Sequence, residues 1–433
     1  MKTKTKLFSI IFVLIVTSFS TAQSYDELIK QGEDKFHSGD YPGSIESFRK
    51  AVKAKPNNTF GLFSLGYVLG LRGMHDEGIS YLDKAIKIAP DSIQYNFYRG
   101  EIKGYKGDYK GAIEDMLYYK NNVRENPEAT YILLSQYYYD AKDYKNAQLY
   151  IDKAEEALNP LPFNFYYNKA RIELKNRDYL KAIQNATKGI NLNPNYPHTY
   201  FTRGKALFEA GKYDKSIKDY DAYLKIIPTD DIAISNRALA KQNAGDLNAA
   251  LSDYSKAISL YDQDAVTFIN RSVLYRKMNK NDLALADLNK ASKLAPNYFK
   301  TFNLRGNLYL NQKKYTEALA DFNKAIKLNS KSVADLTSRS YCYLKLNKPE
   351  QALTDAKKAL ELDKTNSDAF LHAGLSSFNL NKFDQAIKYY TDGIVKNPDD
   401  GRLYYGRSAA YKENGNHSLA ANDDAKAKTL LSK

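Results

Sequence analysis

Apolar and polar residues recur along this chain with a period of 34 residues. Twelve consecutive blocks can be aligned, and they start at residues 25, 59, 93, 128, 163, 197, 231, 265, 299, 333, 367 and 401. Two single-residue insertions, Pro127 and Pro162, interrupt the register and flank the fourth block. Because a fixed period of this length indicates a repeat architecture, we predict an array of equal structural units.

Small residues mark three positions of each block. Position 8 is Gly, Ala or Ser in all blocks, position 20 is equally small, and position 27 is usually Ala or Gly, as in Gly306, Ala318 and Ala325 of the ninth block. Positions 20 and 27 lie two helical turns apart on one helix face, and position 8 lies on the preceding helix. Since small side chains allow helices to approach closely, each block is predicted to form a helical hairpin.

The expected turn and the expected end of each hairpin carry their own signals. Position 15 is Gly or Asn in nine blocks, namely Gly39, Gly73, Gly107, Gly211, Gly245, Asn279, Asn347, Asn381 and Gly415. Both residue types tolerate the left-handed conformation that closes a helix. Position 32 is often proline, which cannot continue a helix, as at Pro56, Pro90, Pro194, Pro228, Pro296 and Pro398.

The block closely resembles the tetratricopeptide repeat in its length, its small residues and its proline. The Trp that the family places at position 4 is replaced by residues such as Leu62, Tyr200 and Phe268. The resemblance implies an all-α solenoid, a right-handed superhelix of stacked helical hairpins. Repeats 1–3 would occupy residues 25–126, an irregular fourth repeat residues 128–161, and repeats 5–12 residues 163–433. Asp424 and Lys428 make the last helix polar, as expected of a capping helix.

The first residues have the layout of a signal peptide. Lys2, Lys4 and Lys6 precede an apolar run from Leu7 to about Phe19, and small residues follow through Ala22. The run is too short for a membrane-spanning helix, and no later stretch of the chain is a candidate. We therefore expect residues 1–22 to be removed during export, which leaves a periplasmic, surface-associated or secreted protein without a transmembrane segment.

The chain is basic, with a formal net charge of +14 that becomes +11 when the three leader lysines are removed. An exported protein rarely meets nucleic acid, so this charge favours acidic proteins, anionic glycans or a lipid surface as partners. The alternative is that most lysines simply solvate the outer faces of the helices.

No residue pattern indicates catalysis, a metal or a cofactor. The five histidines are scattered over separate blocks without the convergent spacing of metal ligands. Phosphate-binding loops and nucleophile motifs are absent from the sequence. The single cysteine, Cys342, is expected to be a small core residue of a helix. The sequence therefore predicts a protein that is not an enzyme.

Arg at position 7 and Asp at position 23 occur together in seven blocks and are both missing from the other five. Since the two positions lie at nearly the same height of an antiparallel hairpin, we predict ion pairs within or between repeats, unless common ancestry alone explains the correlation. The pairs are Arg99 with Asp115, Arg203 with Asp219, Arg237 with Asp253, Arg271 with Asp287, Arg305 with Asp321, Arg339 with Asp355, and Arg407 with Asp423.

In the family that the chain resembles, the first helix of each hairpin lines a concave groove, and positions 2, 5, 9, 12 and 13 commonly contact peptides. These positions are aromatic in the early blocks, at Phe60, Phe63, Tyr67, Phe97, Tyr105, Tyr139, Tyr167, Phe201 and Phe208. From the fifth block onward they turn basic and amide-rich, at Arg171, Lys175, Lys205, Arg276, Lys277, Asn303, Asn307, Asn311 and Lys345. Alternatively, the aromatic residues pack between repeats and the basic ones are merely solvated.

The resemblance and the groove together suggest a non-catalytic scaffold or receptor that binds protein or peptide ligands in a cell envelope or outside the cell. An aromatic half would take apolar anchors of the ligand and a basic half its acidic side chains. Two alternatives stay open, namely a module that binds glycans or other envelope polymers, and an accessory subunit of an envelope secretion or enzyme complex. The sequence does not indicate an oligomeric state.

Overall fold

A computed structural model describes residues 23–124 and 127–432, which form 24 α-helices and contain no β-strand. The predicted leader, residues 1–22, lies outside the described residues. The chain divides into two compact units, Met1–Ala206 and Leu207–Lys433. Each unit is an α-solenoid of stacked helical hairpins, which confirms the predicted fold class.

The helices alternate between a first and a second helix of each hairpin. In chain order the first twelve are α1 Tyr25–His37, α2 Tyr41–Ala54, α3 Thr59–Leu71, α4 His75–Ile88, α5 Gln94–Lys106, α6 Tyr109–Asn122, α7 Ala129–Asp140, α8 Tyr144–Ala157, α9 Phe163–Lys175, α10 Tyr179–Leu192, α11 Pro197–Glu209 and α12 Tyr213–Ile226. The remaining twelve are α13 Asp231–Ala244, α14 Leu247–Leu260, α15 Ala265–Lys277, α16 Asn281–Leu294, α17 Phe299–Asn311, α18 Tyr315–Leu328, α19 Val333–Lys345, α20 Pro349–Leu362, α21 Ser367–Asn379, α22 Phe383–Lys396, α23 Gly401–Glu413 and α24 His417–Leu431.

The two helices of a hairpin approach each other at the small residues of positions 8 and 20. Three of the four serines at position 8 donate a hydrogen bond to the backbone carbonyl of position 20, as from Ser340 to Ala352 at 2.8 Å and from Ser408 to Ala420 at 3.0 Å. The fourth, Ser272, donates to the Ile269 carbonyl of its own helix. In the second repeat, a Cβ on Gly78 would lie 2.6 Å from the carbonyl oxygen of Gly66. Larger side chains at these positions would force the helices apart.

The core of each hairpin is centred on position 24 of the second helix. Phe48, Tyr254, Phe322 and Tyr390 occupy this position and are almost completely buried. The small residue at position 8 makes room for them, since a Cβ on Gly374 would lie 2.4 Å from the ring of Tyr390. Position 10 of the next repeat completes the packing, so that Cys342 lies in one cluster with Ala318 and Phe322. This burial raises the pKa of the Cys342 thiol to about 12, as fits a core residue.

Every hairpin turn has a positive φ angle at position 15. Nine of these residues are the glycines and asparagines that the sequence marks. The other three are Lys142, Arg177 and Lys313, with φ angles of 66°, 65° and 59°. A β-carbon is strained in this region, so the neighbouring helices impose the turn on these three residues against their own preference.

In six of the seven predicted Arg–Asp pairs, the two side chains are in direct contact. In each of them the arginine Nε and one Nη donate to the two carboxylate oxygens, as in Arg305 with Asp321 at 2.8 and 2.7 Å. The others are Arg99 with Asp115, Arg237 with Asp253, Arg271 with Asp287, Arg339 with Asp355, and Arg407 with Asp423. The pair of Arg203 and Asp219 falls on the two sides of the division between the units and stays a prediction.

The remaining Nη of each of these arginines reaches the second helix of the preceding repeat. Arg99 contacts Asp83 at 2.6 Å, Arg305 contacts Asn289 at 2.8 Å, and Arg407 contacts Thr391 at 3.1 Å. All three partners occupy position 25 of their own block. The arginine therefore joins three helices, and we call this arrangement the arginine clamp.

Candidate functional site

The first helices of the early repeats carry an aromatic cluster that is only partly covered. The ring centroids of Phe63 and Tyr98 lie 4.9 Å apart, as do those of Tyr67 and Tyr98, and Phe63 also stacks on Tyr95 at 5.2 Å. Phe60 extends from this cluster and is 43% exposed. The predicted groove residues Phe60, Phe63 and Tyr67 thus come together on α3 and face α5.

A cleft of about 200 Å³ opens beside this aromatic cluster. Its walls come from α1, α3 and α5, with a contribution from α2. The residues that line it are Glu33, Phe36, His37, Phe48, Phe60, Phe63, Ser64, Tyr67, Val68 and Tyr98. A mostly apolar cleft with a few polar groups at its edge suits a side chain of a ligand. We call it the aromatic cleft.

Other predicted groove aromatics pack against neighbouring helices. Phe97 lies 5.1 Å from Tyr119 of α6 and belongs to the core of its own hairpin. Tyr167 contacts Tyr196 at 5.2 Å, and Phe208 contacts Tyr213 at 5.5 Å. Tyr105 differs, because 59% of it is exposed to solvent.

Arg171 is held between tyrosines and a carboxylate of the adjacent repeat. Its guanidinium lies 4.1 Å from the ring centroid of Tyr139 and 5.4 Å from that of Tyr167, and it pairs with Asp140 at 2.5 Å. Burial works against the charge of Arg171, but Tyr167 and Asp140 overcome it, and the pKa of the guanidinium is raised. We call this arrangement the filled cage. Arg171 is therefore a structural link between repeats, and its charge is already neutralised.

The predicted lysines of the groove are more exposed. Lys175 lies over the ring of Tyr144 at 4.6 Å, and Lys205 lies 5.9 Å from the ring of Phe201 on its own helix. Lys277 and Lys345 are exposed, and the Lys345 ammonium lies 5.2 Å from the ring centroid of Tyr341. Arg276 is half-buried, and no ion pair involves it among the described residues.

The three asparagines of α17 do not form an open row of amides. Asn303 donates a hydrogen bond to the buried carboxylate of Asp335 on α19, so its amide links two repeats. Asn307 donates back to the carbonyl of Asn303 at 2.9 Å. Asn311 is the exposed member of the three and is available to a ligand.

Glu101 is a candidate binding residue that the pattern of aromatic and basic positions did not single out. It lies on α5 at position 9 of the third block, is half-buried, and has no hydrogen-bond or ion-pair partner among the described residues. Burial raises the pKa of its carboxyl to about 7. Glu33 also occupies position 9 in its block, so a scan of that position for acidic residues would have found both.

The described His, Cys, Asp and Glu side chains do not converge on a metal centre. Within residues 23–124 and 127–432, no three His, Cys, Asp or Glu side chains are placed to hold a metal ion. His372 is buried beside Tyr341, and this burial lowers its pKa to about 4, so the ring is neutral at pH 7. In the same described part of the chain, no helix is long and apolar enough to cross a bilayer.

Comparison with known proteins gives distant relatives. TPR repeat-containing protein MJ1428 of Methanocaldococcus jannaschii is 22% identical over 174 residues, which are 40% of this chain and 30% of that protein. BBSome complex member BBS4 of Bos taurus is 24% identical over 169 residues, which are 39% of this chain and 32% of that protein. The chain thus matches about a third of the length of these curated relatives.

Solved structures show similar arrangements of helices. A tetratricopeptide repeat protein from Parabacteroides merdae matches with a TM-score of 0.44 and 20% identity, over 57% of this chain and 98% of that one. The Cut9 and Hcn1 hetero-tetramer of the APC/C matches with a TM-score of 0.46 and 13% identity, over 94% of each chain.

Family models described as tetratricopeptide repeat match most of the array. The matched residues are 29–93, 167–231, 265–298, 299–332, 336–366 and 372–428, which are more than half of the chain. These matches agree with the hairpins, the small residues at positions 8 and 20, and the left-handed turns. The chain therefore belongs to the tetratricopeptide-repeat family.

Proposed function

We propose that this protein is a non-catalytic scaffold that binds protein or peptide segments along the first helices of its hairpins, outside the cytoplasm. Proteins of this family typically act in protein–protein interaction. The observation that carries the proposal is the aromatic cleft, because it leaves Phe60, Phe63 and Tyr67 partly uncovered at positions where a soluble helix could have carried polar residues.

The first helices carry exposed groups that a ligand could contact. Tyr105, Lys175 and Asn311 lie on first helices and are exposed, and they offer an aromatic ring, a cation and an amide. Interfaces commonly combine such aromatic anchors with polar groups at their edge. A segment laid across several first helices could use these groups in sequence.

The start of α1 is compatible with export and cleavage after Ala22. Ser24 caps this helix, because its hydroxyl accepts from the Glu27 N–H and the Glu27 carboxylate accepts from the Ser24 N–H at 2.9 Å. Both members of this capping box would remain in the mature chain. N-terminal sequencing of the protein from its own cells should begin at Gln23 or Ser24, whereas a retained Met1 in a cytoplasmic fraction would contradict export.

Photo-cross-linking from defined positions tests where a partner binds. A photoreactive phenylalanine analogue would replace Tyr105, Lys175 or Asn311 on first helices, and exposed Lys218, Lys256 or Lys357 on second helices as controls. In the native cells we expect protein adducts from the first set and few from the second. The captured proteins would be identified by mass spectrometry.

Three outcomes would count against this proposal. Equal cross-linking from both helix sets would show that the first helices are not a preferred binding surface. Attachment to polysaccharide in place of protein would favour the alternative of an envelope-polymer binding module. A captured set with fixed stoichiometry would instead favour the other alternative, an accessory subunit of an envelope secretion or enzyme complex.

A further inference from the structure

We propose that the groove of repeats 1–3 selects a peptide with an arginine or lysine side chain, which is bound by Glu101 and its surrounding tyrosines. This inference rests on the proposed function and names the chemistry of its ligand. It reverses the expectation from net charge, under which an acidic peptide was the preferred partner.

The Glu101 carboxyl has an aromatic surrounding but lacks a cation. Tyr105 lies four residues further along the same face of α5, and Tyr67 of α3 contacts Tyr98, three residues before Glu101, with ring centroids 4.9 Å apart. Tyr137 of α7 packs against α5 at Gly104, three residues after Glu101. Burial raises the pKa of all three tyrosines, and the Glu101 charge adds to the shift. Gly104 allows this approach, because a Cβ there would lie 2.5 Å from the Tyr137 ring. A tyrosine-lined carboxylate is suited to a guanidinium or an ammonium.

The helices around Glu101 cannot supply that cation themselves. Neither α3 nor α7 contains a lysine or arginine. The three basic residues of α5 are bound elsewhere, since Arg99 and Lys103 pair with Asp115, and Lys106 pairs with Asp76 at 2.6 Å. Within these described helices, the Glu101 charge is therefore left for an external partner.

The filled cage shows what the Glu101 site would hold. There, two tyrosines and the Asp140 carboxylate surround the guanidinium of Arg171, which also occupies position 9 of its block. Around Glu101 the tyrosines are also present, but here position 9 carries the carboxylate itself. No arginine of α3, α5 or α7 supplies a guanidinium to it. We call this arrangement the open cage, and its composition matches the filled cage without the cation.

The residues at position 9 of the first three blocks extend the preference for a basic ligand side chain along the groove. These residues are Glu33, Tyr67 and Glu101, and Glu33 borders the aromatic cleft. No ion pair of either glutamate is present among the described residues. A peptide whose basic side chain enters the open cage could place a neighbouring apolar side chain in the aromatic cleft, since Tyr67 lines the cleft and contacts Tyr98, three residues before Glu101.

The test uses a phage-displayed library of random twelve-residue peptides, selected on the mature full-length protein. Selected peptides would then be synthesised twice, once with their Arg or Lys and once with the neutral isostere citrulline or norleucine. Binding of both forms would be measured by calorimetry to the wild type, to Glu101→Gln and to Glu114→Gln. Glu114 is the matched control, because it is an exposed glutamate on the second helix of the same repeat.

We expect an Arg or Lys at one position of most selected peptides. Its neutral isostere should bind the wild type and Glu114→Gln about tenfold more weakly, which corresponds to about 1.4 kcal/mol, and Glu101→Gln should show less than a twofold difference between the two forms. Tyr105→Ala is a second variant at a mostly exposed position, and it should weaken binding of the charged peptide more than binding of its neutral isostere.

Failure of this inference and failure of the proposed function would look different. Peptides that compete for the aromatic cleft, lose affinity in Phe63→Ala, but show no basic position would overturn the open cage and leave the scaffold function standing. An equal loss from the isostere in wild type and Glu101→Gln would do the same. A library without any binder to the groove would contradict both.

Discussion

Three hairpin turns place a long charged residue where the backbone is left-handed. Gly or Asn relieves this strain in the other nine turns, so Lys142, Arg177 and Lys313 are local defects in an otherwise consistent pattern. The sequence alone did not reveal that these turns share the same geometry, because the packing of the two helices imposes it.

Substitution of Lys142, Arg177 or Lys313 by glycine should therefore stabilise the protein. We expect about 0.5 kcal/mol for each change, since the relief of about 1 kcal/mol of strain exceeds the added entropy of the unfolded chain. Urea unfolding followed by circular dichroism would measure it. Lys388→Gly is the control inside a helix and should destabilise by about 1 kcal/mol, and a loss of stability in all three turn variants would refute the strain.

The carboxyl of Glu101 should make stability depend on pH. Its folded pKa of about 7 lies above the ordinary value of 4.5, so the stability it contributes is present below pH 4.5 and is lost as the pH rises through 7. The groups that face it are the tyrosines Tyr67, Tyr105 and Tyr137, which stay neutral in this range.

Glu101→Gln should accordingly raise the free energy of unfolding by about 1–2 kcal/mol at pH 8 and leave it nearly unchanged at pH 4.5. Thermal unfolding of both proteins across this pH range would test it, with Glu114→Gln as the control. An identical pH profile for wild type and Glu101→Gln would show that the carboxyl is well solvated in the folded state.

At the scale of the helices, the hairpin could be predicted from the sequence and its ligand chemistry could not. Small residues at positions 8 and 20 act locally, so their spacing determines the hairpin without knowledge of the rest of the fold. The filled cage depends on which side chains of two successive repeats meet, and the open cage on those of three. Asn303 was expected in the groove wall, but its amide binds Asp335 of the next repeat. The sequence of one block does not reveal such a contact between repeats.

The arginine clamp should contribute strongly to hairpin stability because its carboxylate is buried. Asp321 is 5% exposed and receives two hydrogen bonds from Arg305. We expect Asp321→Asn to cost about 2–3 kcal/mol, since it leaves a largely buried guanidinium without its counter-charge. The double variant Arg305→Met with Asp321→Leu should recover more than half of that loss.

Urea unfolding of the single and double variants would measure these changes. The exposed pair of Arg49 and Glu77 is the control, and Glu77→Gln should cause no measurable loss. A double variant as unstable as Asp321→Asn would show that the clamp does more than neutralise a buried charge.

At the scale of the whole molecule, the helices within each unit contact their neighbours in sequence. First helices of adjacent hairpins touch, as α13 does α15 and α19 does α21, in addition to the contacts of consecutive helices. Stability in such an array is expected to be the sum of repeat and nearest-neighbour contributions. The periodic sequence was sufficient to predict this organisation, since every block repeats the same local signals.

A substitution in one clamp should therefore loosen only the repeats beside it. Asp355→Asn should increase amide hydrogen exchange in α18, α19 and α20, the three helices that this clamp joins, by about tenfold or more, and should leave α13 and α14 of the same unit unchanged. Hydrogen exchange with mass spectrometry resolves these segments. Faster exchange throughout the unit would instead indicate that it opens as one cooperative body.

The spacing of the arginine clamp also bears on how the length of the array can evolve. Each clamp uses a partner 16 residues before and another 16 residues after the arginine, as in Asp83, Arg99 and Asp115. Deletion of residues 271–304 would place Arg305 16 residues after Ser255, which is the present partner of Arg271 at 3.3 Å. Genetic gain or loss of one whole block therefore rebuilds a complete clamp at the new junction, so unequal recombination can lengthen or shorten the protein without a broken intermediate.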